Sequence, residues 1–209
     1  MSELEYKKMK IFLHVGSGHK RKDRTTKAFL GSEWCELRFD IDESVKPDLL
    51  GTMIDMTAVG TESVDAVFSS HNIEHLYPHE VPLALNEFLR VLKPDGLAVI
   101  TCPDLKSVCA LIAEDKLTEA AYTSPAGPIA PIDILYGLRS SMAKGNLYMA
   151  HRSGFTQKVL TATLRNCGFA SIATTCRGYP YFDLWAVACK TEVSEEKMKE
   201  LARVHITPV

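Results

Sequence analysis

The sequence predicts an α/β fold: a three-layer sandwich around a mostly parallel seven-stranded sheet that ends in an antiparallel hairpin. Three observations predict it. Ile11 to Val15 is an unbroken apolar run that stops at Gly16-Ser17-Gly18, as a fully buried parallel strand does when it opens into a tight turn. Strand-like runs at 35–42, 49–56, 64–70 and 97–102 then alternate with turn or helix signals. Finally, the runs 169–176 and 182–189 are joined only by Arg177 to Tyr181, a link too short for a crossover and suited to an antiparallel pair.

The chain has 209 residues, 46% of them hydrophobic, enough for one domain spanning 1–209 with a full core. A formal net charge of -2 gives no electrostatic reason to expect a nucleic-acid partner. The run His19-Lys20-Arg21-Lys22 is local, is followed by Asp23 and reads as a solvated loop. The N-terminal MSELEYKKMK lacks the apolar region of a signal peptide, and no stretch approaches the ~18 apolar residues that span a bilayer. Six cysteines are scattered without a CxxC pair. A reduced, cytoplasmic protein with no membrane partner is the expectation.

In order, the first strand ends at a turn whose two glycines let the backbone bend sharply and a ligand approach closely. Ligands of open α/β sheets sit at such carboxyl ends, so this turn is read as holding a nucleoside-bearing cofactor. The segment after Gly18 has room for a turn or two, about Thr25 to Leu30, and not for a full helix. In the second strand Cys35, Leu37, Phe39 and Ile41 alternate with polar residues and the run closes on acids. Asp40, nearer the strand end than Asp42, is placed to accept hydrogen bonds from both ribose hydroxyls; capping the next turn is the plainer role for either acid. A short third strand ends at Asp55-Met56, and Val64 to Ser70 is the fourth.

Val81, Ala84, Leu85, Phe88, Val91 and Leu92 mark one stripe of a helix over His79–Lys93, stopped by Pro94-Asp95-Gly96. Leu97 to Cys102 is the fifth strand, after which Asp104 caps a helix from Leu105 to about Asp115. The stretch 116–154 is irregular and rich in proline and glycine, with a short helix expected at 132–143; it reads as a lid or substrate-recognition insertion. Thr156 caps a helix that runs to about Asn166 and is closed by Gly168, with Phe155 and Leu160 at the positions of a hydrophobic staple. Ser194 caps a charged final helix to about Arg203.

These motifs together resemble the class I S-adenosylmethionine-dependent methyltransferases. The resemblance rests on Val15-Gly16-Ser17-Gly18, on VDAVFSSHNIEHL and on FLRVLKPDGLAVITCPD, and it covers residues 10 to 105 and the helix from Thr156. It implies the class I methyltransferase fold, S-adenosylmethionine as cofactor, and a methyltransferase acting on a small-molecule acceptor. The cofactor site it implies comprises His14, Gly16, Ser17, Gly18, Asp40, Ile41, Asp55, Met56, Ser70 and His71, with Asp55-Met56 flanking the adenine. The chain departs from the family at His14, where an acid commonly helps to hold the cofactor's amino group, and at Asp95, where a glycine is common.

Methyl transfer needs an acceptor in line with a sulfonium methyl, and a general base only if the acceptor must lose a proton. His71, Glu74 and His75, just past the fourth strand, are the catalytic candidates, although Glu74-His75 also reads as a structural tie to the following helix. His151 and Tyr148 are weaker candidates. HNIEH resembles a zinc-protease helix pattern in reverse, but Pro78 argues against a long helix there and no distant third ligand is evident, so no metal is expected. Two other functions fit parts of the pattern. A nicotinamide oxidoreductase shares the strand, glycines and ribose acid but lacks the third glycine, Arg21 standing in its place, and the pyrophosphate-binding helix. A methyltransferase fold without activity, serving as a binding module, is the other.

Overall fold

The computed structural model describes residues 9–206, so MSELEYKK, part of the segment read as lacking a leader, lies outside the described residues. The main sheet contains β1 (Lys10–Val15), β2 (Trp34–Asp40), β3 (Leu49–Leu50), β4 (Val64–Ser70) and β5 (Leu92–Pro103). The insertion adds a separate two-stranded hairpin, β6 (Tyr122–Ser124) and β7 (Gly127–Ile129), and the main sheet closes with β8 (Ser171–Arg177) and β9 (Asp183–Cys189). The strand order is β3-β2-β1-β4-β5-β9-β8. β1 to β5 pair in parallel, and β9 runs antiparallel to both β5 and β8. The order reverses beside β1, between β2 and β4, where open parallel sheets bind ligands.

Each face of the sheet is built by strand alternation. Leu13, Val15, Val67, Ala98 and Ile100 face a core closed by α1 (Val81–Val91) and α5 (Gln157–Cys167), helices that contribute Ala84, Leu85, Phe88, Leu160 and Leu164. The other face presents Phe12, Ala66, Phe68, Val99 and Val187. No α-helix follows β1 to cover it. The chain makes two 3-10 turns, Lys22–Arg24 and Lys27–Leu30, as the short polar segment predicts. Phe29 from the second turn stacks on Phe12 at 4.4 Å between ring centres, and Trp34 stands edge-on to it at 5.0 Å. A C-terminal helix, α6 (Glu195–His205), completes this layer. Among the described residues no helix is long and apolar enough to cross a membrane.

Several element boundaries differ from expectation. The third strand is only Leu49–Leu50, and the chain then turns through a Thr52–Asp55 bridge. Lys93 to Gly96 joins β5 as an irregularity in its pairing with β4 instead of separating helix from strand. The final helix runs to His205, two residues beyond Arg203. The 116–154 segment is structured: after α2 (Leu105–Ala113) it holds the β6–β7 hairpin, α3 (Pro131–Tyr136) and α4 (Arg139–Met142). Ile129 and Ile134 pack on Val108 and Phe182, and Asp133 binds Arg139 at 2.7 Å while accepting a hydrogen bond from the Ala130 N–H. Proline and glycine content, which suggested irregularity, here serves tight connections: Gly137 has φ +98, and a Cβ there would meet the Met149 carbonyl at 1.9 Å.

His205 sits in the second core against Phe29, with Nδ1 3.3 Å from Thr26 Oγ1. Burial pushes its pKa down to about 4. Between about pH 6.5 and pH 4 the unfolded chain therefore takes up a proton that the folded chain refuses. This contribution to stability is intact above pH 6.5 and is lost as pH falls toward 4, by at most about 1.4 kcal/mol per pH unit. Urea unfolding at a series of pH values should show a shallower acid loss in His205→Gln than in the parent. Equal slopes would mean that His205 is not buried as a neutral imidazole.

Candidate active site

The carboxyl edge of the sheet opens into a cavity of about 920 Å³. Its floor is the turn after β1. Gly16 and Gly18 have φ +60 and +54, in the left-handed region that disfavours a side chain. Asn72 lies directly on Gly16, so that a Cβ there would come within 2.0 Å of Asn72 Oδ1. The Asn72 amide donates to the Val15 carbonyl at 2.9 Å and to the Ser70 carbonyl at 3.2 Å, stitching the end of β1 to the end of β4. Sequence reasoning passed over Asn72, since only its place in HNIEHL pointed to it.

Asp40 ends β2 and closes the turn from the other side. One carboxylate oxygen accepts from the Gly18 N–H at 2.7 Å and the other from the Asp42 N–H at 2.9 Å. A carboxylate has about four acceptor positions, so two remain for a ligand in the cavity that Asp40 lines. Asp42 instead caps the turn Glu43–Val45 by accepting from the Ser44 N–H. Beneath this, Arg38 is fully buried and donates to the carbonyls of Gly18, Val45 and Lys46, locking the glycine turn to the next loop.

Gly16, Ser17, Gly18, Asp40, Ile41, Ser70 and His71 all border the cavity. Three other expected residues do not, and the structure corrects each. His14 points to the opposite face of the sheet, where Nδ1 lies 2.7 Å from Glu36 Oε1 and the ring packs edge-on against Phe68. Strand alternation is the reason: Val15, not His14, faces the cavity side. Asp55 is exposed and its carboxylate accepts from the Thr57 N–H. Met56 is in the core, its N–H donating to Glu87 and its carbonyl accepting from Arg90. The cavity wall at this place is Thr52, Met53 and Ile54, because β3 ends early. His19 and Lys20, read as solvated loop, also reach the cavity. Lys20 keeps solvent contact, yet surrounding protein pushes its pKa down and the charge of Glu74 pushes it back up.

The far wall is the HNIEH segment. It forms the 3-10 turn Ile73–His75 and not an α-helix, as Pro78 foretold. Its backbone ties to the end of the insertion, since the Glu74 carbonyl accepts from the N–H groups of Arg152 and Ser153 at 2.8 and 3.0 Å. This tie replaces the expected one to the following helix. His151 is thereby brought against His75, the ring centres 4.8 Å apart, and Tyr148 joins the same wall. The Glu74 carboxylate is buried beside them, and His71 Nδ1 stands 3.4 Å from it. Burial pushes the Glu74 pKa up, but the imidazoles of His71, His75 and His151 outweigh this and hold it below the ordinary value. Burial also lowers His151, against the pull of Glu74. The cavity wall thus carries a buried carboxylate held below its ordinary pKa beside a His151 imidazole that burial also holds down.

Residues 35–100 match a family model described as a methyltransferase domain. No curated protein matches the chain by sequence. Solved structures share its fold. One is a Burkholderia thailandensis 1,6-didemethyltoxoflavin-N1-methyltransferase with bound 1,6-didemethyltoxoflavin and S-adenosylhomocysteine, 15% identical over 90% of this chain and 74% of that one, at a TM-score of 0.57. Another is an S-adenosylmethionine-dependent methyltransferase from Archaeoglobus fulgidus, 18% identical over 98% and 85% of the two chains, at a TM-score of 0.53. A protein from Pyrococcus horikoshii, 15% identical over 88% and 84%, reaches 0.58.

The two turn glycines separate conformational strain from steric exclusion. Gly18→Ala meets nothing within 4 Å and carries only the left-handed backbone penalty, about 1–2 kcal/mol. Gly16→Ala carries the same penalty and must also displace Asn72. Urea midpoints should therefore fall further for Gly16→Ala than for Gly18→Ala. Equal losses would show that the Asn72 contact is not specific.

Proposed function

We propose that this chain, which carries the class I S-adenosylmethionine-dependent methyltransferase fold, binds S-adenosylmethionine on its Gly16–Gly18 turn and serves methyl transfer to a small-molecule acceptor beneath the 116–154 insertion. The observation that carries the reading is the single cavity, continuous from the glycine turn and Asp40 to the insertion residues Tyr122, Ile134 and His151. Its volume, about 920 Å³, lies in the upper part of the ~300–1,000 Å³ range of small-molecule sites.

The residues present fit the cofactor. Asp40 has acceptor positions left for the ribose hydroxyls, Ile41 and Met53 offer apolar surface to a base, and the bare glycine backbone admits the methionine end. S-adenosylmethionine supplies a methyl group on a positively charged sulfur, and it carries no phosphate. That agrees with the connection after Gly18, whose 3-10 turns offer no helix N-terminus to a pyrophosphate. The same absence disfavours a nicotinamide dinucleotide. His14 turns away from the cavity toward Glu36, so its replacement of an acid is compatible with a cofactor on the glycine turn.

The insertion supports a small acceptor, because Tyr122, Ile134, Tyr148 and His151 line the same cavity as the glycine turn. The Burkholderia enzyme, whose structure holds 1,6-didemethyltoxoflavin with S-adenosylhomocysteine, is a precedent for that arrangement on this fold. Here the protein's part is to orient the acceptor and exclude water. His71, which borders the cavity with its Nδ1 3.4 Å from the Glu74 carboxylate, is placed to take a proton should the acceptor have to lose one.

Calorimetric titration with S-adenosylhomocysteine should show one site per chain with a dissociation constant on the order of micromolar. Asp40→Ala, shown to be folded by its urea transition, should bind about tenfold to a hundredfold more weakly through loss of charge-assisted hydrogen bonds. No heat at concentrations about a hundredfold above that range would overturn the reading, and unchanged affinity in Asp40→Ala would move the ribose elsewhere.

A further inference from the structure

We propose that Glu74, His75 and His151 form a binding site for a divalent transition-metal cation of the zinc or iron(II) kind, open toward the cavity. One ligand atom from each residue lies within 4.8 Å of the others. Two histidines and one carboxylate, with positions left vacant, form a donor set used by open zinc and non-haem iron sites.

Two further observations make this more than a cluster. First, the Glu74 side chain is 1% exposed, and among the described residues neither of its oxygens has a hydrogen-bond partner. A carboxylate withdrawn from water with no partner is expensive, so a native fold that keeps one implies a missing cation or donor. His71 does not fill the role: its Nδ1 is 3.4 Å away, outside good hydrogen-bond geometry, and its side chain is 44% exposed. Second, both imidazoles are oriented from behind. His75 Nδ1 lies 3.1 Å from the Ala150 carbonyl and His151 Nδ1 lies 2.8 Å from the Ile134 carbonyl. A carbonyl oxygen only accepts, so each Nδ1 carries the proton and each Nε2 presents a lone pair. Backbone carbonyls commonly fix metal-binding histidines in this way.

The sequence argued against a metal because Pro78 forbids a long helix bearing both HNIEH histidines and no distant third ligand was evident. His151 is that ligand, delivered from the far end of the insertion by the hydrogen bonds of Arg152 and Ser153 to the Glu74 carbonyl. Bonds of about 2.0–2.2 Å to a cation would draw the three donor atoms to within roughly 3–4 Å of one another, a small contraction of the present spacing. Resting on the methyltransferase reading, the vacant positions would receive a ligating oxygen, nitrogen or sulfur of the acceptor. The acceptor would then be a metal-chelating small molecule.

Cobalt(II) is the probe. The full chain, stripped with a chelator and dialysed against Co²⁺, should retain one ion per chain and show visible ligand-field absorption that Zn²⁺ abolishes. Glu74→Gln and His151→Asn should each weaken uptake at least tenfold, while His79→Asn, an exposed histidine of the same segment, should not. Far-UV circular dichroism checks each fold, and if one variant fails to fold the other decides. No stoichiometric uptake by the parent, or uptake unchanged in a folded Glu74→Gln or His151→Asn, overturns the site. Titration with S-adenosylhomocysteine on the same samples keeps the two claims apart: cofactor binding without cobalt uptake overturns the metal site alone, and cobalt uptake without cofactor binding supports the site and overturns the methyltransferase reading.

Discussion

The carboxyl edge of this protein depends on the close seating of Asn72 on Gly16. Only a residue without a Cβ leaves space for that amide, and only an amide there can bridge the ends of β1 and β4 through the Val15 and Ser70 carbonyls. The contact fixes where the first strand turns and where the HNIEH segment leaves the fourth. One wall of the cavity is thus set against the other by a single side chain. Arg38 does the complementary work from below, holding the Gly18 carbonyl to the loop that follows β2.

The layers around the sheet were legible because hydrophobic periodicity is a property of the element itself. Val64 to Ser70 and the stripe of α1 could be read directly, as could the caps at Asp104, Thr156 and Ser194, whose side chains accept the expected backbone hydrogen bonds. The missing helix after β1 was also legible, since the polar segment there has no apolar stripe. What covers that face was not: Phe29 and α6 meet it from opposite ends of the chain, and such pairing leaves no local trace.

The site was legible in proportion to how local its residues are. The glycine turn and Asp40 lie at strand ends and stand at the cavity. Asp55 and Met56 were misplaced because β3 is two residues long, and Glu87 and Arg90 of α1 hold the next loop by the Met56 backbone. The insertion concealed the most. Its prolines and glycines read as irregular in sequence but make tight turns in space, and only folding brings His151 to His75. The residues proposed to hold the adenosyl group therefore lie at strand ends, whereas the opposite cavity wall is shared between the sheet edge and the insertion.

The most direct test of this account is a crystal structure of the protein soaked with S-adenosylhomocysteine. The account predicts ribose hydroxyls on Asp40, the base against Ile41 and Met53, and the sulfur facing Glu74, His75 and His151. Density for the ligand outside this cavity, or with its sulfur directed away from that cluster, would contradict it.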